Sequence, residues 1–420
     1  MHLQAAALER PFKAAESASR HLTFRYRRRL QSILDLSGFQ AAARRVLPHA
    51  IFGYVANGSE DETSKDTNRA AFLDYRLVPR VLAGVEVRSQ NTTLFGRRYA
   101  APFGIAPMGG ASAVTYDADN QMGRAAAACD IPFVLSGNSI VPMEEVAQCS
   151  PGAWFASYQS AHSRAIEGMV ARVAAAGFRV FVLTADVPVG SNREKDAVDG
   201  FHQPIQLNHQ MIRDGILHPN WLISTAVRTL VKRGIPHIDN LEYDGGPSLF
   251  SQSVGSIASH AGLAWDHVRL IRRLWQGPFV VKGILSPEDA RTARHCGVDG
   301  IVVSNHGGRQ LDKAVTPLMM LRDIVAEAGD MKVIVDSGFR RGTDVLTALA
   351  LGADFVLIGR PFLFSAAVAG EAGVLHAIQL LSKEIDRDMA LLGLRQLDEL
   401  GPDRLLKLAP GPAAPGNPPS

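Results

Sequence analysis

The chain has 420 residues, 46% of them hydrophobic, with a formal net charge of +3 and three cysteines. That is enough apolar material for a large core, and the small charge excludes the strongly basic face of a typical nucleic-acid binder. Cys129, Cys149 and Cys296 lie far apart with no C-x-x-C pair, which argues against a disulfide framework or zinc site and for three buried thiols in the cytoplasm.

In chain order, residues 1–45 read as a basic helical lead-in carrying "RYRRRLQS". No N-terminal secretory leader is legible, and no run reaches the roughly 18 uncharged apolar residues of a membrane span. From 46 to 400 the pattern changes to short apolar runs that close on polar or Gly/Pro residues: "FGIAP" (103–107), "FVLS" (133–136), "WFASY" (154–158), "VFVLTAD" (180–186), "FVVKG" (279–283), "GIVVSN" (300–305), "KVIVDSG" (332–338) and "FVLIGRP" (355–361). None alternates cleanly, as expected of parallel strands buried on both faces. Helical patterns separate most of them, such as "SRAIEGMVARVAAAG" and "SPEDARTARHCG", the latter opening on Ser286 with Glu288 and Asp289 and stopping at Gly297. Eight strands alternating with helices predict a (β/α)8 TIM barrel. An open doubly wound sheet is the rival, but "APMGGASAV" after the first strand is not G-x-G-x-x-G. A long insertion, about 197–262, follows the fourth strand, and the Pro/Gly-rich stretch 401–420 reads as a disordered tail.

Barrel enzymes do their chemistry at the C-terminal ends of the strands. Here those ends carry Pro107, Ser136, Tyr158, Asp186, Lys282, His306, Asp336 and Arg360, several of them groups that are costly inside a core. The seventh and eighth loops, "SGFRRG" and "GRP", combine Gly338 and Gly359 with Arg340, Arg341 and Arg360, where barrels often hold a phosphate. A phosphate site with an internal lysine and a histidine suggests a phosphorylated cofactor and a proton transfer.

"SNHGGRQLD" (304–312), together with "GYVANGSEDE", "LTADVP", "NREKD", "VVKGI" and "VDSGFRRGTDV", resembles the FMN-dependent L-2-hydroxy acid oxidoreductases, the family of glycolate oxidase, lactate oxidase and mandelate dehydrogenase. The resemblance runs through residues about 30–400 and implies FMN as cofactor and a small 2-hydroxy acid as substrate. It implies His306 as general base, with Asp186 raising its pKa, and Tyr158 on the substrate hydroxyl. Arg309, Arg193 and Tyr54 would grip the substrate carboxylate. Lys282 would stabilise the reduced ring, with Ser136, Thr184 and Ser304 beside it and Pro107, Met108 and Gly109 along its face. Gly338, Arg340, Gly359 and Arg360 would hold the phosphate, with Asp336 nearby.

The chain departs from the family pattern at four places. Ala156 stands where a glutamine is usual, so that either a hydrogen bond to the flavin ring is lost or Gln159 replaces it, and Ser337 stands in the family's "DGG". Asn138 and Gly190 replace bulkier residues, which implies a roomier and more polar pocket for an acid larger than glycolate, such as an aromatic one. Gly109 favours a dehydrogenase that passes electrons to a quinone or cytochrome over an oxidase. In the insertion, Trp221, Leu222, Ala226, Val227 and Leu230 fall on one helical face bordered by Arg228, Lys232 and Arg233, so 218–234 is expected to contact a membrane surface or to pack on the barrel. His202, His209, His218 and His237 read as surface residues. The resemblance also implies a homotetramer. Two alternatives stay open: another FMN barrel, such as a type 2 isopentenyl diphosphate isomerase, and a flavin-binding protein without turnover.

Overall fold

The computed structural model describes residues 24–202, 204–206, 208–251 and 260–408. The start of the lead-in and the Pro/Gly-rich end lie outside these residues. Eight strands form one sheet: β1 (Phe103–Ile105), β2 (Val134–Ser136), β3 (Trp154–Ser157), β4 (Val180–Thr184), β5 (Phe279–Ile284), β6 (Gly300–Val303), β7 (Lys332–Val335) and β8 (Phe355–Ile358). Each pairs in parallel with its neighbours, β8 pairs with β1, and a bridge from Ile105 to Phe133 closes the barrel.

Each strand is followed by a helix: α1 (Ala118–Ala128), α2 (Met143–Cys149), α3 (Ser163–Ala175), α4 (Trp265–Leu274), α5 (Pro287–His295), α6 (Pro317–Ala328), α7 (Gly342–Ala350) and α8 (Arg360–Leu392). Local chemistry sets their ends. Ser286 accepts the Asp289 N–H, and Thr316 accepts that of Met319, each followed by a proline at the first helical position. Gly297, at φ +73, follows α5 in the left-handed conformation. The short α2 has too few turns to leave a periodic signal in the sequence. Non-helical backbone at Ala369 and Gly370 breaks the long, apolar α8 into two segments.

The period of two along each strand sorts the core. Val134, Trp154, Val182, Val280, Val302, Ile334 and Phe355 fill the lumen. Their neighbours Leu135, Phe155, Leu183, Val281, Ile301 and Val335 face the helices. Tyr99, from a hairpin pairing 92–94 with 97–99, closes the lower end, where its hydroxyl accepts the Trp154 indole N–H at 3.3 Å.

Two boundaries differ from the sequence reading. The lead-in helix Leu36–Ala43 buries Leu36, Phe39, Ala42 and Ala43 and packs on α8, so it is part of the core. The stretch read as tail remains structured through 408: Leu405–Lys407 pairs antiparallel with Tyr75–Leu77, and the buried Arg404 donates to the Leu392 carbonyl at 2.9 Å. Backbone pairing of this kind leaves no compositional signal. All three cysteines are free, with Cys129 and Cys296 buried and Cys149 half-buried.

Candidate active site

The inward row of each strand turns polar where it leaves the lumen. Two residues beyond Val134, Val182, Val280, Val302 and Ile334 come Ser136, Thr184, Lys282, Ser304 and Asp336. Strand geometry therefore gathers these side chains in one layer at the barrel mouth. Lys282, only 3% exposed, sits at its centre. Its ammonium lies 3.4 Å from Asp336 Oδ2 and 3.8 Å from Asp186 Oδ2, and donates to Ser304 Oγ at 2.9 Å. Burial pushes its pKa down, but the two carboxylates outweigh burial and the net shift is upward. Gly283, at φ +107, permits this packing, since a Cβ there would lie 2.4 Å from that of Asp186.

His306 follows β6 in a left-handed conformation, φ +57, that aims its ring over the mouth. Its Nδ1 lies 3.0 Å from Asp186 Oδ1, which fixes the proton on Nδ1 and leaves Nε2 as the free base. Burial pushes the Asp186 carboxyl up, but His306 and Lys282 hold it down at about 2. The expectation that Asp186 raises the His306 pKa is half right. Asp186 does push it up, but burial together with Lys282 wins, and the pKa lies below 6.5. Burial thus favours the neutral imidazole, and Lys282 is the buried cation that flanks Asp186.

Around these groups runs a cavity of about 730 Å³. Of the residues singled out in the sequence, Tyr54, Pro107, Met108, Gly109, Tyr158, Arg193, Lys282, His306, Arg309, Asp336, Gly338, Arg340, Gly359 and Arg360 line it. Asp186 stands behind His306, and Ser136, Thr184 and Ser304 lie beneath the lining. The Thr184 hydroxyl is buried with no hydrogen-bond partner. The Ser304 hydroxyl accepts from Lys282 and from the His306 N–H at 3.0 Å, so it braces the loop from beneath the lining. Gln159 does not substitute for the missing glutamine, because its amide donates to Ser157 Oγ at 2.6 Å and it stays out of the cavity.

Arg309 donates to the carbonyls of Tyr54 and Asn57 at 2.6 and 3.2 Å and stacks over the Tyr54 ring. Burial and the nearby Arg193 lower its pKa to about 10. Burial and Arg69 lower Arg340 to about 10, and burial with Arg309, which shares the Asn57 carbonyl with it, and Arg340 lowers Arg360 to about 9. Arg360 donates three of its five guanidinium N–H groups to the Val55, Gly307 and Asn57 carbonyls at 2.9, 2.8 and 2.9 Å, which leaves two for the cavity it lines. Its side chain ties the loops together, while its backbone N–H opens α8 beside Gly359. Arg340 makes one side-chain bond, to the Phe339 carbonyl, and is the freer guanidinium.

Sequence reasoning passed over three lining residues. Asp196, within the quoted "NREKD", accepts from Asn57 at 3.1 Å and balances Arg309 and Arg193. His260 is buried 5.9 Å from the Tyr158 ring, and nothing in its local sequence marks it. His202, read as surface, also faces the cavity. The insertion presents Trp221, Thr225, Ala226 and Thr229 to the cavity, and its turn Leu222–Val227 is a π-helix. That turn shifts the phase of the face, so Val227 points outward, 45% exposed.

The chain matches the family described as FMN-dependent dehydrogenase over residues 43–407. It belongs to that family of FMN-dependent 2-hydroxy acid oxidoreductases. It is 37% identical over 377 residues to (S)-mandelate dehydrogenase of Pseudomonas putida, covering 89% of this chain and 94% of that protein. L-lactate dehydrogenase of Stenotrophomonas maltophilia is 38% identical over 376 residues, covering 88% and 98%. Among solved structures, the monotopic membrane protein (S)-mandelate dehydrogenase superposes with a TM-score of 0.81 at 35% identity, over 90% of this chain and all of that one. A mandelate oxidase superposes at 0.73 and 34% identity, covering 89% and 98%.

FMN is the family's cofactor, and the residues present fit it. Two half-buried guanidiniums that line the cavity without a carboxylate hydrogen-bond partner, Arg340 and Arg360, suit an anion there. An unpartnered hydroxyl, Thr184, and a buried ammonium, Lys282, wait at its floor. Arg340→Met should therefore weaken FMN binding about ten-fold or more, the loss of one charge-assisted contact; titration of apoprotein with FMN, followed by flavin fluorescence, checks this. With His306 as base, kcat/KM should rise with pH through a pKa below 6.5 and level off at neutrality. Asp186→Asn should move that limb to still lower pH and cut the plateau on the order of 10²-fold. A limb that moves to higher pH in the variant would contradict the assignment.

Proposed function

We propose that the protein dehydrogenates an L-2-hydroxy acid bulkier than glycolate to the 2-oxo acid, with a lactate- or mandelate-like acid as the preferred class. The observation that carries this reading is the convergence of His306, held by Asp186, with Arg309, Arg193 and Tyr54 on one cavity. FMN, when bound, supplies the two-electron acceptor. Arg309 and Arg193 take the carboxylate, as planar donors suited to it. Tyr158 meets the substrate hydroxyl, and Nε2 of His306 accepts a proton. Asp186 then faces an imidazolium, which it stabilises. Lys282 places a fixed positive charge where negative charge develops on the cofactor.

Room for a larger acid comes from Gly190, whose missing Cβ would meet nothing within 4 Å. Gly109 supports a dehydrogenase: a methyl group there would lie 2.9 Å from the Asn138 Cβ, so the two positions are packed to need glycine. We assign the electrons to a quinone or cytochrome. The cavity continues into an apolar bay under the insertion, between Trp221, Ile238, Leu241 and Phe250, where an apolar acceptor would fit. The outer face of the insertion exposes Ile216, Leu217, Ile223 and Val231 beside Arg213, Arg228 and Lys232, a pattern suited to peripheral contact with an anionic membrane. The free thiols accord with its cytoplasmic side. Exposed Val78, Val81, Leu82 and Val87 offer an apolar loop for assembly into a homotetramer.

The holoprotein should be yellow and bleach anaerobically with L-mandelate or L-lactate, and His306→Asn should keep the colour but not bleach. A highest kcat/KM for glycolate would overturn the substrate class, and reoxidation by air within milliseconds would overturn the acceptor. Co-sedimentation with anionic liposomes, lost on removing 218–234, tests the membrane contact. A monomeric mass in solution would refute the tetramer.

A further inference from the structure

The ends of β5, β6 and β7 are joined by a closed ring of polar contacts. Lys282 donates to Ser304 Oγ at 2.9 Å, and Ser304 Oγ accepts the His306 N–H at 3.0 Å. The next residue, Gly307, donates its N–H to Ser337 Oγ at 3.0 Å. The Ser337 hydroxyl donates to Asp336 Oδ1 at 2.8 Å, and Asp336 Oδ2 returns to Lys282 at 3.4 Å. A hydroxyl has one proton, and here it goes to the carboxylate, which leaves the lone pairs of Oγ to the amide, so both partners are satisfied in the polarity they need.

Two features make Ser337 more than a filler. Its backbone sits at φ +80, where glycine is at ease and an L side chain is strained, so the hydroxyl is kept against a conformational cost. The loop it holds is also unusual. His306, Gly307 and Gly308 have φ of +57, +68 and +73, three left-handed residues in succession. Their N–H groups are held in turn by Ser304 Oγ, Ser337 Oγ and Asn305 Oδ1, the last at 3.2 Å. Ser304 and Asn305 belong to the same segment, while Ser337 reaches across from the end of the next strand. It is the tie between the histidine loop and the Asp336–Lys282 pair.

We propose that Ser337 is a positioning residue that orients the His306 loop and, by sharing the charge of Asp336, raises the reduction potential of bound FMN. The proposal rests on the reading that Lys282 and His306 face the flavin. The sign follows from electrostatics. A proton donated to Asp336 takes up part of its negative charge, so more of the positive field of Lys282 reaches the cavity. Removing the hydroxyl returns that charge to Lys282, and a reduced, negatively charged cofactor is then less well stabilised.

The test compares the holoenzyme with Ser337→Ala and Ser337→Gly. Alanine removes the hydroxyl and keeps the backbone strain, whereas glycine removes both and so folds readily. Equilibrium titration against redox dyes, read at the flavin absorbance, should give both variants a lower midpoint potential than the parent. Both should lose about ten-fold in kcat, as expected for one hydrogen bond to a charged group, with KM within about two-fold. Ser337→Gly with unchanged potential and kcat would overturn the proposal, since only the strain would then have mattered; so would a loss in alanine that glycine restores. If no 2-hydroxy acid bleaches the parent enzyme, the functional reading fails, yet the dye titration still decides the role of Ser337.

Discussion

The buried ammonium of Lys282 organises the mouth of this barrel. An isolated charge so deep would be strongly disfavoured, and it persists because Asp186 and Asp336 flank it and Ser304 accepts its proton. Each partner then does a second job. Asp186 turns to the His306 ring, Ser304 to the His306 backbone, and Asp336 to Ser337. One cation on β5 thus sets the positions of the His306 ring and of the loop that carries it. The pairing also explains why Asp186 stays ionised while His306 stays neutral: the carboxylate already has a cation, and the buried imidazole is disfavoured as a second one.

The rest of the cavity has the opposite imbalance. Arg309, Arg340 and Arg360 are half-buried with few carboxylates, and each is held below its ordinary pKa by desolvation and by other guanidiniums. Asp196 offsets part of this near Arg309 and Arg193. A protein that leaves such positive charge uncompensated is suited to receive anions, and planar guanidiniums suit carboxylate and phosphate alike.

The insertion adds a different kind of wall. Trp221 anchors it by donating its indole N–H to the Ala113 carbonyl at 2.9 Å, next to the loop along the cavity. Its inner face is mixed apolar and hydroxyl, and its outer face is apolar with basic borders, so the same helix both roofs the site and meets the surroundings.

Most of the architecture was legible because strand and helix periods write themselves into the chain. All eight barrel strands, the alternation with helices and the polar strand ends from Tyr158 to Arg360 could be read from spacing. The family resemblance supplied FMN and the chemistry, and comparison with the mandelate and lactate dehydrogenases supports both. What could not be read depends on contacts between distant segments. Arg360 shares its side chain between the carbonyls of Val55 and Asn57 and that of Gly307 in the His306 loop, and Ser304 accepts from a lysine of another strand. Gln159 turns to a neighbour, and His260 comes in from the insertion. The balance that leaves His306 neutral belongs to the same class, because burial is a property of the packed whole and has no counterpart in the order of residues. The amino-acid order determined the barrel and the list of reactive groups; only the tertiary structure decided which of them face the cavity, which brace it, and in which charge state they do so.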